Sequence, residues 1–329
     1  MKIIQFLSGN KFGGMEKFAI DISNILAKEH DVLFIGDKVF KKYIHNNVSF
    51  IELNNKKSRN NILFLWKIYK IFKNFKPNII HVHKQKNIQI MNRLKYFIDI
   101  PFVATKQDMQ KKKSFLNLKY AITITEDVQT TINAKHIFKI YNGIPYNEPT
   151  KIPLSNTFNI VAVGGLRKVK GYDKLIESLS KVNFDFHLTI VGEGEERKNL
   201  ELLITKLQLE NKITLTGFVN NVNDYIYSAD LQVISSLSEG FSLAMIEGIF
   251  YSPLLISTKV SGCTEILPDQ LLMNHQEMSE KIENVYQHYT VHKDIFSKTK
   301  KDYSHLLTIE ACAKEYIHVY QQIKEIENA

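Results

Sequence analysis

Short apolar runs alternate with longer amphipathic stretches along most of this chain. In the first half, Lys2 to Leu7, Asp31 to Ile35, Val48 to Leu53, Ile79 to Val82, Phe102 to Ala104 and Ala121 to Ile124 have strand character. Met15 to Lys28 and Ile62 to Phe75 carry apolar residues at helical spacing. Strands separated by helix-length segments predict a parallel sheet with right-handed crossovers. Pro149, Pro153 and the polar Ser155-Asn156-Thr157 break the pattern and put a linker near residues 147–158. The alternation then restarts, with strands at Phe158 to Val163, Phe186 to Val191, Ile213 to Leu215, Gln232 to Ile234 and Leu254 to Ile256. Helices are predicted at Gly171 to Ser180, Glu196 to Leu207 and residues 305–329. The pattern predicts an α/β protein of two doubly wound, Rossmann-like domains, residues 1–150 and 151–329. Their strand C-terminal ends would border a shared cleft that holds ligands.

A chain of 329 residues suits two cores of about 150 residues each. Apolar runs such as Ile62 to Trp66 and Pro253 to Ile256 fall far short of a membrane span. Met1 to Leu7 reads as a first strand and not as a signal peptide. Cys263 and Cys312 lack metal-ligand spacing, and a reduced, cytoplasmic protein is the plain expectation.

Charge adds an asymmetry. The first 150 residues carry 25 basic and 11 acidic side chains, whereas the chain as a whole is at +9. Between Lys56 and Lys119 stand 16 Lys and Arg against Asp99 and Asp108 alone. In Asn61 to Lys76, Phe64, Leu65, Trp66, Ile68, Ile71, Phe72 and Phe75 alternate with Lys67, Lys70, Lys73 and Lys76, and Lys111-Lys112-Lys113 extends the field. Such a face suits an anionic membrane, where lysines snorkel and aromatics enter the headgroup layer. Nucleic acid is the competing anion, but no stacking platform, helix-turn-helix or zinc-finger pattern accompanies the charge.

The chemistry gathers at Ser235-Ser236-Leu237-Ser238-Glu239-Gly240-Phe241-Ser242-Leu243-Ala244-Met245-Ile246-Glu247. This segment follows a strand and enters a helix near Ser242, where free N–H groups and the helix dipole favour a phosphate. Glu239 and Glu247 beside an anion site suit a polyhydroxylated ligand such as a ribose and a sugar. Gly164-Gly165-Leu166-Arg167-Lys168-Val169-Lys170-Gly171 makes a second strand-to-helix turn, whose cations can clamp a diphosphate. The charged-surface-loop reading of that turn stays open on spacing alone. A third glycine-rich turn, Ser8-Gly9-Asn10-Lys11-Phe12-Gly13-Gly14-Met15-Glu16, lacks dinucleotide-fingerprint spacing but brings backbone close to a ligand. Gly217-Phe218-Val219 can line a base pocket. His81-Val82-His83 puts two rings on one side of a strand, a weak metal signal without a third ligand.

Together these residues resemble the family-4 retaining glycosyltransferases of the GT-B fold over essentially the whole chain. The family's paired glutamates, with seven residues between them, match Glu239 and Glu247. The resemblance implies that Glu239 faces the transferred sugar and Glu247 the nucleotide ribose. Backbone at Phe241, Ser242 and Leu243 would hold sugar hydroxyls and phosphate, and Gly13, Gly14, Gly164 and Phe218 would join the donor site. Lys170 fits the family lysine. The family arginine position holds Gly165, and Arg167 stands two residues later. The family's Thr-x-His-Asp stretch reads Thr105-Lys106-Gln107-Asp108, where Gln107 cannot exchange a proton near neutral pH. Glu16, His83, Gln107 and Asn142 fall on the acceptor side. The terminal helix is similar to one that crosses back onto the first domain.

The expected reaction moves a sugar from an NDP-sugar to a hydroxyl with retention, using Lys170, Arg167 and Glu239 and no metal or other cofactor. The expected acceptor is a glycan or lipid-linked glycan, met at the inner face of the cytoplasmic membrane during envelope polysaccharide synthesis. A nucleotide-sugar 2-epimerase of the same architecture and a catalytically silent partner subunit stay open as alternatives.

Overall fold

The computed structural model describes residues 1–9, 13–53 and 59–329. Asn10, Lys11 and Phe12 of the first glycine loop, and Lys56 and Lys57 of the basic stretch, lie outside the described residues. The chain divides into two compact units, Met1–Pro145 with Leu306–Ala329, and Tyr146–His305.

The first unit contains strands β1 (Lys2–Leu7), β2 (Asp31–Gly36), β3 (Ser49–Glu52), β4 (Ile79–His83), β5 (Phe102–Lys106), β6 (Leu116–Thr123) and β7 (Asn133–Lys139). Helices α1 (Gly14–Leu26), α2 (Ile62–Phe75), α3 (Gln85–Leu94) and α4 (Glu126–Gln129) connect them. The seven strands pair in the order β3-β2-β1-β4-β5-β6-β7, parallel throughout. Both faces are covered, so β1 is apolar almost end to end. Ile3 and Leu7 join the core with α1, while Ile4 and Phe6 join the core with α2 and α3.

The second unit contains β8 (Phe158–Val163), β9 (Phe186–Val191), β10 (Ile213–Gly217), β11 (Leu231–Ile234), β12 (Leu255–Thr258) and β13 (Leu272–Met273). Its helices are α5 (Tyr172–Leu179), α6 (Arg197–Lys206), α7 (Val222–Ser228), α8 (Leu243–Tyr251), α9 (Cys263–Ile266), α10 (Met278–Gln287) and α11 (Tyr289–Tyr303). Strand order is β10-β9-β8-β11-β12-β13, again parallel. In each sheet the chain order reverses once, between β1 and β4 and between β8 and β11. Such a reversal opens a crevice at the strand C-terminal ends.

The last helix, α12 (Ile309–Asn328), belongs to the first unit, although a boundary at residue 150 counts it with the second. Its buried residues, Ile309, Cys312, Ala313, Tyr316, Val319, Tyr320 and Ile323, repeat at helical spacing and pack with α1 in one core. Burying each isoleucine contributes roughly 1.5–3 kcal/mol. Thr308 caps the helix by accepting from the Ala311 N–H at 3.1 Å. A parallel bridge between Ile144 and Thr308 ties the returning chain to the first unit.

On the other face of that sheet, α2 occupies the span its pattern predicts. Asn61 accepts from the Phe64 N–H at 2.9 Å, and Phe64, Ile68 and Phe72 turn inward. Ile62, Leu63 and Trp66 are exposed, as are Tyr96 and Phe97 just past α3. An Arg93 to Asn60 hydrogen bond of 2.7 Å joins the end of α3 to the start of α2. Strand β7 escapes the sequence pattern because it is an edge strand, half-buried and polar at alternate positions. No helix among the described residues is long and apolar enough to cross a membrane.

Candidate active site

Where the second sheet reverses, two strand-to-helix loops are zipped together. The loop after β8 runs through Gly164 and Gly165 into a short 3-10 turn, Lys168–Lys170, and on to α5. The loop after β11 runs through Ser235, Ser236 and Glu239 to Ser242, the residue that precedes α8. Leu237 N–H donates to the Val169 carbonyl at 2.8 Å, and Ser235 Oγ donates to the Lys170 carbonyl at 2.8 Å. His275 Nε2–H donates to the Ser235 carbonyl at 3.1 Å. Gly171 makes this approach possible. Its φ is +61°, and a Cβ there would collide with the Ser235 carbonyl.

This zipping brings Lys170 Nζ within 2.5 Å of Glu239 Oε1, and Ser236 Oγ donates to the same oxygen at 2.7 Å. Both charged side chains are largely shielded, 13% and 14% exposed. A charge pair so placed holds well while intact, and losing one partner leaves the other poorly solvated. Arg167 bends back over the glycine turn. Its Nε lies 3.6 Å from where a Cβ on Gly165 would stand, so the Arg167 side chain runs beside that position.

Helix α8 is anchored by its apolar face, Ala244, Met245, Ile246 and Ile249, and by Gln232 Nε2–H donating to the Ala244 carbonyl at 2.7 Å. Ser242 does not cap it through its side chain, and its buried Oγ is without a partner. A cavity of about 10 Å³ is lined by Lys170, Tyr172, Ser235, Ser236, Glu239, Ser242 and Ala244. That is space for about one water molecule. Glu247 is half-buried on α8, and its charge helps raise the ionisation of Tyr251, where burial is the larger cause. Leu243 is half-buried, Phe241 is buried against Gly262, and Phe218 is 81% exposed. Gly164, at φ +146°, leaves room for the Tyr172 hydroxyl and the Lys170 stem.

The first-unit candidates have different surroundings. Gly13 and Gly14 are exposed at the start of α1. Glu16 is buried and ion-paired with Lys84. His83 is buried, with Nε2–H donating to Gln5 Oε1 at 2.9 Å, and burial pushes its pKa down to about 3. Gln5 Nε2–H donates to Tyr320 Oη at 3.3 Å, Tyr320 donates to His81 Nδ1 at 2.6 Å, and His81 Nε2–H donates to Thr105 at 2.6 Å. The two rings lie 4.2 Å apart, on one side of β4 as its pleat predicts. Gln107 Nε2 and Asn142 Oδ1 are buried without partners. Lys106 is ion-paired with Asp108, which also pairs with Lys112. Among the described residues, no group of three or more His, Cys, Asp or Glu stands ready for a metal ion.

Two family profiles cover nearly all of this chain. The one described as Glycosyl transferases group 1 matches residues 148–301, and the one described as Glycosyltransferase Family 4 matches residues 12–146. The chain belongs to glycosyltransferase family 4. A Campylobacter jejuni relative named N-acetylgalactosamine-N,N'-diacetylbacillosaminyl-diphospho-undecaprenol 4-alpha-N-acetylgalactosaminyltransferase is 27% identical, covering 78% of this chain and 80% of its own. The lipopolysaccharide core biosynthesis glycosyltransferase LpsD of Rhizobium meliloti is 23% identical, covering 80% and 79%. Among solved structures, Anabaena HepE in complex with UDP superposes with a TM-score of 0.84 at 19% identity, covering 98% of this chain and all of that one. The two parallel-sheet units are those of the GT-B fold, and this family-4 protein is an enzyme, a glycosyltransferase of glycan synthesis.

Sequence reasoning missed Ser236 and Tyr172 of this glycosyltransferase. Ser236 sits in a serine-rich run whose signal was absorbed by the neighbouring glutamate. Tyr172 looks like an ordinary first residue of an amphipathic helix. Its position one residue after the Lys170-Gly171 pair was the available cue.

Proposed function

We propose that the enzyme transfers a sugar from an NDP-sugar to a hydroxyl of a glycan or lipid-linked acceptor, with retention at the anomeric carbon. The observation that carries this reading is the meeting of Lys170, Arg167, Glu239 and the start of α8 at the strand reversal of the second unit. Lys170 and Arg167 stabilise the diphosphate as it departs, and the α8 dipole adds to them. Glu239 faces the sugar and Glu247 the ribose, with Gly164, Phe218, Phe241, Ser242 and Leu243 completing the donor site. The anomeric C–O bond breaks toward the diphosphate, and the acceptor oxygen bonds to the same face of that carbon. The acceptor proton passes to the departing phosphate, so Gln107 has no proton to move. These cations replace a metal.

The acceptor side takes Glu16, His83, Gln107 and Asn142. The UDP held by HepE supports a nucleotide donor, and the undecaprenol-linked acceptor in the Campylobacter relative's name supports a lipid-linked one. Basic helices α2 and α3, with exposed Trp66, Tyr96 and Phe97, suit the anionic inner face of the cytoplasmic membrane during envelope polysaccharide synthesis. A thermal-shift screen of UDP-, GDP- and ADP-sugars identifies the donor, and NMR of the product then reads its anomeric configuration. An inverted product overturns retention. Isomerised donor formed without acceptor turns the reading to an epimerase, and binding of none of these nucleotides turns it to a silent partner.

A further inference from the structure

The Lys170–Glu239 pair poses a problem for the donor site. The same ammonium that is to hold a diphosphate is already bound to Glu239, at 2.5 Å. Drawing Lys170 onto a phosphate would leave the carboxylate to the Ser236 hydroxyl, in a largely shielded position. A second donor stands beside it. The Tyr172 hydroxyl is buried, lacks a hydrogen-bond partner and lines the same 10 Å³ cavity as Glu239. Burial first, and the Glu239 charge second, push its ionisation upward, which keeps the hydroxyl proton available for donation. Gly164 leaves a gap that both donors border. A Cβ there would stand 2.9 Å from the Tyr172 oxygen and 3.2 Å from Lys170 Cε. The Ser242 hydroxyl, also unpartnered, gives the cavity a further polar wall.

We infer that Tyr172 is a positioning residue whose hydroxyl takes the place of Lys170 on Glu239 when an anion draws the ammonium away. The exchange keeps Glu239 charged and aimed while Lys170 serves the phosphate. It also gives a use to a buried hydroxyl that has no partner, a group whose burial is normally a loss of stability. The inference rests on the diphosphate role given to Lys170 above.

A ligand-free double-mutant cycle tests the exchange without reference to the donor. Thermal unfolding is followed for the wild type, Tyr172→Phe, Lys170→Met and the double variant. In the wild-type background Tyr172→Phe keeps the ring and removes an idle hydroxyl, so the midpoint stays or rises. In the Lys170→Met background the tyrosine is already on Glu239, and its removal lowers the midpoint by roughly 3–6 °C. An equal effect in both backgrounds overturns the exchange, because a merely structural hydroxyl would not distinguish them. Inorganic pyrophosphate, titrated calorimetrically, gives the second arm. Tyr172→Phe binds it roughly tenfold more weakly than the wild type, and equal affinity overturns the inference. Pyrophosphate binding to neither protein overturns the diphosphate role of Lys170, and the cycle then decides the exchange by itself.

Discussion

The two units share one strand order and use its reversal point in opposite ways. In the first, the side chains around β4 form a neutral relay, His83 to Gln5 to Tyr320 to His81 to Thr105, which fastens helix α12 to the sheet. In the second, the equivalent ends of β8 and β11 gather a lysine, a glutamate, two unpartnered hydroxyls and a helix N-terminus. The first reversal also holds an ion pair, Glu16 with Lys84, and the unit carries more charge outside, on α2, where Lys67, Lys70 and Lys73 are exposed. The same topology thus gives a scaffold in one unit and an electrostatic site in the other. What differs is what the polar groups at the reversal face, a helix of the same unit in one case and a small cavity bordered by a lysine and a glutamate in the other.

The sharpest way to break that contrast is Lys170→Ala. Loss of a preorganised cation at a developing charge is expected to reduce sugar transfer by about 10²–10³-fold, measured at saturating donor. Unchanged turnover would reduce the Lys170–Glu239 pair to a structural link and make the two units alike. Glu247→Ala comes next, with donor affinity falling about tenfold or more through loss of charged hydrogen bonds to the ribose. Calorimetric titration of donor reads it, and an unaltered dissociation constant removes Glu247 from the site.

The first unit's relay has its own signature in pH. His83 is held to about pKa 3 by burial first and by Lys84 second, against an ordinary value near 6.5. His81 is lowered in the same direction, by burial and then by His83. Below pH 6.5 the unfolded chain binds a proton at His83 that the folded chain refuses, so folding weakens as pH falls. Stability is complete above that pH and declines toward pH 3, with a slope approaching about 1.4 kcal/mol per pH unit for each such histidine. Denaturant unfolding at several pH values measures the slope, and His83→Gln is expected to flatten it. A slope untouched by that substitution would mean that the acid sensitivity lies outside the relay.

Much of this was legible locally. Strands β1, β8 and β9 and helix α2 begin and end where their apolar spacing starts and stops, because burial on a sheet face or a helix stripe is a periodic signal. The strand-to-helix turns that carry Lys170 and Glu239 were legible too, since glycines placed just after strands mark such junctions. Long-range pairing was not. Glu16 reads as an acceptor-side group, and nothing near it in sequence announces Lys84 as its ion-pair partner. Lys170 meets Glu239 across 69 residues, a contact created by adjacent strands and invisible to spacing. Tyr172 was hidden for a related reason, since a helix-start tyrosine reveals no unpartnered hydroxyl until the fold buries it.

The smallest expected effect concerns the charge that the first unit keeps on its outside. Lys70 Nζ sits 3.6 Å over the ring of exposed Trp66, on the face of α2 opposite Phe64, Ile68 and Phe72. A lysine near an anionic bilayer contributes about 1 kcal/mol, so Lys70→Gln should weaken binding to vesicles containing anionic phospholipid by about fivefold at low salt. The difference should shrink as added salt shortens the screening length. Lys298→Gln, an equally exposed lysine on α11 of the second unit, should leave vesicle binding unchanged. Equal losses from both substitutions would show diffuse attraction by net charge and no preferred face. No loss from either would leave the basic helices of the first unit without a membrane partner, and the division of labour between the units would then rest on the donor site alone.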